Sequence, residues 1–157
     1  MRRLHDLDAK DREILGLLET DGRRAHSEIA RLTGLSAPTV AERIARLRDI
    51  GVIRGFSVDV DPERIGLPIA AIIEFQPRSN DDERAIAAVT RHPAVRSCYR
   101  VTGPALLVMF VRVADNAALK DLLAEFTHFG DTKTAVILSA ESENRHYFPQ
   151  PVDPPTL

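Results

Sequence analysis

Apolar residues recur at the spacing of buried helix faces through the first third of the chain. Asp8 can cap a helix that runs through Glu19, with Asp11 and Glu13 in its first turns and Ile14, Leu17 and Leu18 at i, i+3, i+4. Asp21-Gly22 ends that stretch. A second, shorter helix is expected from about Ala25 to Thr33 with Ile29 and Leu32 inward, and Gly34 supplies the permissive backbone of a tight turn. Ser36 is a good N-cap, Pro38 is tolerated in a first turn, and Val40, Ile44 and Leu47 repeat at i, i+4, i+7 until Gly51 stops a third helix. Helix, glycine turn, helix is the helix-turn-helix pattern.

The period then changes. Phe56, Val58 and Val60 alternate as in a half-buried strand, so residues 52 to 60 are expected to serve as both wing and linker. Asp61-Pro62 and Gly66 interrupt that segment and mark the boundary between two halves. Beyond it, strands are expected from Ile69 to Phe75, Val95 to Val101, Ala105 to Val113 and Lys133 to Leu138. Two helices separate them. Asn80 and Glu83 form a capping-box pattern that opens the first, which ends near Arg91. Asp115 caps the second, whose inward stripe is Leu119, Leu122, Leu123 and Phe126. The order βαββαβ matches a ferredoxin-like arrangement, in which two helices cover one face of a sheet and the other face is left for a partner. The expected class is therefore α+β, a winged helix-turn-helix followed by a ferredoxin-like βαββαβ domain. The divisions are 1–53, a linker strand or hinge at 54–66, the second domain at 67–145 and a proline-rich tail at 146–157, with Pro149, Pro151, Pro154 and Pro155 barring a sheet.

Charge sharpens this division. The chain of 157 residues carries a formal charge of −2, which excludes a uniformly basic nucleic-acid coat. Between Gly22 and Arg54, however, seven arginines face three acids, whereas from Asp61 onward 10 basic residues face 13 acidic ones. The basic material therefore coincides with the helix-turn-helix. On the third helix, Thr39, Glu42, Arg43 and Arg46 fill a polar face beside the inward stripe. Such a helix can lie in a major groove with its N-terminal residues and arginines at base edges and phosphates. Arg46 paired with Glu42 on a solvated face is the bland alternative. The expected DNA-contacting residues are Ser36, Thr39, Arg43 and Arg46 at the bases, Arg23, Arg24 and Arg54 on phosphates, and Pro38 alongside them.

Other chemistry is sparse. The longest apolar run, Ala105 to Val111, is far short of the roughly 20 residues of a membrane helix, and no apolar signal follows Met1-Arg2-Arg3, so a cytoplasmic protein is expected. The lone Cys98 excludes an internal disulfide and a CxxC zinc site, and it reads as lying on the polar side of its strand. His5, His26, His92, His128 and His146 fall at no metal-ligand spacing, so no metal or cofactor is implied. Glu141, Glu143, Arg145, His146 and Tyr147 read as a solvated segment rather than an acid/base group.

These motifs carry a family resemblance. Leu7-Asp8-x-x-Asp11-Arg12-x-Ile14-Leu15, Asp21-Gly22-Arg23, Glu28-Ile29-Ala30, Gly34-Leu35-Ser36, Arg43-x-x-x-Leu47, Gly51-Val52-Ile53, Asp61-Pro62-x-x-Ile65-Gly66, Tyr99-Arg100-Val101-Thr102-Gly103 and Thr132-x-Thr134 resemble the Lrp/AsnC family of bacterial and archaeal feast/famine transcription regulators. The resemblance implies a RAM domain in the second half that dimerises through its sheet, often builds octamers and binds an amino acid between dimers. It implies double-stranded DNA, a small-molecule effector and further copies of the chain as partners. Where relatives carry acidic and aromatic residues after Thr-Gly, this chain has Pro104, Ala105 and Leu106, so a bound ammonium would lack its ion partner there. Asp131, in His128-Phe129-Gly130-Asp131 ahead of the last strand, offers a substitute carboxylate. Gly103, Pro104, Ala105, Leu106, Asp131, Thr132 and Thr134 are the residues expected to line the effector cleft. Sirohaem decarboxylases resemble the same fold, and a ligand module whose helix-turn-helix only props a dimer is a further alternative.

Overall fold

A computed structural model describes residues 6–79, 83–142 and 147–148. His5, Asn80, Glu143, Arg145, His146 and residues 149–157 of the proline-rich tail, on which several of the expectations fall, lie outside these residues. The chain divides into two compact units, Met1–Asp59 with Ser142–Leu157, and Val60–Glu141.

The first unit holds α1 (Ala9–Thr20), α2 (His26–Thr33) and α3 (Ala37–Asp49). α1 starts in a reciprocal cap: Asp8 Oδ1 accepts the Asp11 N–H at 2.7 Å, and Asp11 Oδ2 accepts the Asp8 N–H at 3.2 Å. α2 ends on Gly34 at φ 71°, where the Gly34 and Leu35 N–H groups both donate to the Ala30 carbonyl. This left-handed cap turns the chain directly into α3, which a residue with a Cβ would do under strain. Ser36 caps α3 through the Thr39 N–H. Ile14, Leu17, Ile29, Ala30, Val40 and Ile44 form the shared core. Leu32, expected inward, is 44% exposed. The buried arc of α2 is Ile29, Ala30 and Thr33, and a residue three places after Ile29 falls on the other side of Ile29 from Ala30 and Thr33. The Thr33 hydroxyl stays satisfied by donating to the Ile29 carbonyl at 2.8 Å.

Residues 52–60 form no strand, contrary to their alternating pattern. Phe56, Val58 and Val60 are 52%, 85% and 50% exposed. A period-2 pattern becomes a strand only with a neighbour to complete its ladder, and no described strand pairs with this segment.

The second unit is β1 (Ile69–Pro77), α4 (Glu83–Thr90), β2 (Val95–Arg100), β3 (Leu107–Val113), α5 (Asn116–Thr127) and β4 (Gly130–Val136). The sheet is antiparallel in the order β2-β3-β1-β4. Ala71, Ile73, Phe75, Leu107, Met109 and Val111 point to one face and pack with Val89 of α4 and Leu119, Leu122 and Phe126 of α5. Leu123 is only partly buried. The opposite face carries the exposed Ile72 and Tyr99 and the half-buried Val108 and Phe110, with the Arg112 guanidinium 5.6 Å from the Phe110 ring centre. Cys98 lies opposite Met109 and packs against the core, not on the polar side of β2, because a shift in register between Val95 and Ser97 breaks the simple alternation. Burial raises its thiol pKa, which works against thiolate reactivity.

The last strand begins three residues earlier than its apolar pattern indicates. Gly130 pairs with Pro77 and Asp131 with Gln76, so these residues belong to the sheet rather than to a preceding loop. A Cβ on Gly130 would lie 2.2 Å from the Gln76 carbonyl oxygen, and glycine alone permits that approach.

Candidate functional site

The polar face of α3 is bound to the start of α1. Asp11 is fully buried, and its carboxylate accepts from Arg43 Nη1 at 2.9 Å and from Arg46 Nη2. Asp8 Oδ2 accepts a second bond from Arg43 Nη1 at 2.6 Å. The Asp11 backbone N–H, then Arg43, hold the Asp8 carboxyl below its ordinary pKa, and the bonds to Asp8 and Asp11 hold the Arg43 guanidinium above its own. Arg46 thus pairs across to α1 rather than with Glu42, which joins no ion pair among the described residues. Each arginine carries further guanidinium N–H donors beyond those used in these bonds. The arrangement encloses an open groove of about 450 Å³ lined by Asp6, Asp8, Asp11, Thr39, Glu42, Arg43 and Arg46.

Of the eight residues expected at DNA, Ser36 and Thr39 share a hydroxyl hydrogen bond of 2.8 Å at the head of α3, next to the exposed Pro38. Arg23 and Arg24 line a second cleft in the same unit, and Arg54 is exposed and lines neither groove. Sequence reasoning gave Asp8 and Asp11 only a capping role. Their acidic i, i+3 spacing was legible, but their pairing with arginines more than 30 positions away was not.

A small cleft of about 60 Å³ in the second unit brings together Pro104, Ala105, Asp131 and Thr132 of the expected effector set. Gly103, Leu106 and Thr134 do not line it. Leu106 instead packs against the core and donates its N–H to the Phe75 carbonyl at 3.1 Å. Thr134 sits opposite Ile73, a position on the helix-covered side of the sheet. The cleft adds three residues that sequence reasoning missed: Glu74, Gln76 and Lys133. Glu74 pairs directly with Lys133, and Gln76 with Asp131, across β1 and β4 on the open face. The signal was a single carboxylate at position 74 inside an apolar run. The cleft therefore holds two carboxylates and one ammonium although Pro104, Ala105 and Leu106 supply none.

In the same first unit, the Tyr147 and Phe148 N–H groups donate to the two carboxylate oxygens of Glu19 at 3.1 and 3.0 Å. No helix among the described residues is long and apolar enough to cross a membrane.

Two family models match. The AsnC-type helix-turn-helix domain covers residues 7–48, and the Lrp/AsnC ligand binding domain covers residues 70–147. Among curated relatives, the HTH-type transcriptional regulator LrpA of Mycobacterium tuberculosis is 34% identical over 146 residues, covering 91% of this chain and 97% of that protein. LrpC of Bacillus subtilis is 31% identical over 133 residues, covering 85% and 92%. Among solved structures, B. subtilis LrpC superposes with a TM-score of 0.83 at 30% identity, covering 88% of this chain and 99% of that one. A feast or famine regulatory protein from M. tuberculosis, complexed with L-methionine, superposes with a TM-score of 0.84 at 34% identity, covering 92% and 100%.

Proposed function

The chain belongs to the Lrp/AsnC family of transcription regulators, with a helix-turn-helix and a ligand-binding domain, and on that premise we propose that it reads DNA sequence under control of an amino-acid effector. The observation that carries the DNA half is the coincidence of the helix-turn-helix match with three helices whose third presents a capped, polar face. Ser36, Pro38 and Thr39 at the head of α3 face the bases, joined by the remaining donors of Arg43 and Arg46, while Arg23, Arg24 and Arg54 hold phosphates. The working unit is a homodimer assembling to an octamer. Its two recognition helices then meet half-sites about 34 Å apart, or a multiple of it, as two-fold symmetry on a helical duplex demands.

Arg43→Ala is expected to weaken binding and relax preference at one base position. Arg54→Ala is expected to weaken all sequences alike and flatten the salt slope by about one unit. Anisotropy titrations against base-substituted duplexes separate the two, and equal losses on every duplex for both variants would refute the assignment.

The effector half is supported by the charges of the small cleft and by the relative solved with L-methionine. Glu74 and Asp131 suit an α-ammonium, and Lys133 suits an α-carboxylate. Calorimetry with the twenty amino acids is expected to find a binder whose heat is lost in Asp131→Ala. Binding by none of them, or unchanged binding in the variant, contradicts this half of the reading.

A further inference from the structure

The two sides of α3 differ in charge in a way that residue counts along the chain conceal. The groove on the Thr39, Arg43 and Arg46 side is lined by four acids and two arginines, and both arginines are tied to Asp11. The cleft on the Ile44 and Arg48 side, about 340 Å³, is lined by Arg23, Arg24, His26 and Arg48 and by no acid. Arg23, His26 and Arg48 join no ion pair among the described residues. Arg24, whose side chain is 18% exposed, reaches only a long contact of 3.7 Å with Glu28, and its buried Nε finds no hydrogen-bond partner among the described residues. A buried N–H that has lost water without gaining an acceptor is costly unless a ligand acceptor completes it.

Local structure directs these groups to one place. His26 is the first residue of α2, and the Ala25 cap offers no side-chain acceptor, so the positive end of that helix is left open toward the cations. The Phe56 ring forms a wall of the cleft and lies close over Gly22, where an added Cβ would stand 3.1 Å from the ring. An apolar wall beside clustered cations lowers the local dielectric and strengthens their pull on an anion.

We propose that this cleft seats a phosphate of the DNA backbone, held by Arg48 and His26 together with Arg23 and Arg24, and that it supplies most of the salt-dependent, sequence-independent affinity. Arg43 and Arg46 contribute little to that term, because Asp8 and Asp11 already cancel their charge on the protein. The proposal rests on the DNA-binding reading above and adds His26 and Arg48 to it. It also separates the duties of the two sides of α3, with base reading on one and backbone grip on the other.

The test is fluorescence anisotropy of the full chain on a scrambled duplex across a salt series. Arg48→Ala is expected to flatten the slope of log affinity against log salt by about 0.9, the value for one phosphate contact, and Arg48→Ala with Arg24→Ala by about twice that. Arg48→Lys restores the charge and is expected to restore the slope, which a loss of folding would not allow. Arg43→Ala is expected to leave the slope on scrambled DNA unchanged. An unchanged slope in Arg48→Ala, or an equal flattening in Arg43→Ala, overturns the proposal while leaving the DNA-binding reading intact. Failure of the unmodified chain to bind either scrambled or operator DNA overturns both.

Discussion

Alanine in place of Gly130 is expected to cost about 3 kcal/mol of stability, the upper part of the usual range for overpacking. The added Cβ would lie 2.2 Å from the Gln76 carbonyl oxygen, 2.8 Å from Pro77 Cα and 2.9 Å from the Gln76 carbonyl carbon. All three are backbone atoms, so no side chain can swing aside. Relief comes only by moving β4 away from β1, which breaks the pairing at Pro77↔Gly130 and Gln76↔Asp131 and shifts the Glu74↔Lys133 pair behind it. Gly55→Ala is the natural control, since a Cβ there meets nothing within 4 Å and is expected to be nearly neutral. Urea unfolding of the two variants checks the contrast, and comparable stability in both would contradict the tight approach of the two strands.

Asp11→Ala is expected to destabilise the helical unit by about 3 kcal/mol and to blur base preference. The fully buried carboxylate accepts from the Asp8 N–H, from Arg43 and from Arg46. Loss of one cap costs on the order of 1 kcal/mol, and loss of charge-assisted bonds adds to it. The penalty stays at the low end of the range for broken buried pairs because the Arg43 and Arg46 side chains are 27% and 46% exposed and can turn to water. That same freedom lets them leave the geometry in which α3 presents them. Asp11→Asn, which keeps the shape and one acceptor oxygen but loses the charge and puts an NH2 donor in place of the second acceptor, is expected to fall between the unmodified chain and Asp11→Ala. Urea unfolding followed by circular dichroism gives the first effect, and titrations on base-substituted duplexes the second. An Asp11→Ala protein as stable and as selective as the unmodified chain contradicts the clamp.

What could be read from sequence was whatever depends on neighbours along the chain. The Asp8, Ser36 and Asp115 caps, the Gly34 turn and the stripes on α1, α3 and α5 follow from spacing alone, and each is present in the structure. Leu32 was misplaced because an i+3 position lies at the margin of a buried arc whose centre is set by the helices it packs on. The early start of β4 was hidden because Gly130 and Asp131 have no strand propensity and enter the sheet only through the backbone of Gln76 and Pro77. Residues 52–60 show the converse, a strand pattern that pairs with no strand among the described residues. The sites divide in the same way. The polar residues of α3 were legible as one face, but their anchors on α1 and the entry of Glu74 and Lys133 into the small cleft are long-range facts, invisible without strand register and helix packing.

A symmetric dimer that reads sequence would leave a two-fold signature in the DNA it selects. Selection of bound duplexes from a random-sequence pool by the purified full chain, followed by sequencing, tests it most directly. Enrichment of a near-palindrome with half-site centres about 34 Å or a multiple of it apart is expected. A bound fraction with the same sequence composition as the starting pool would contradict it.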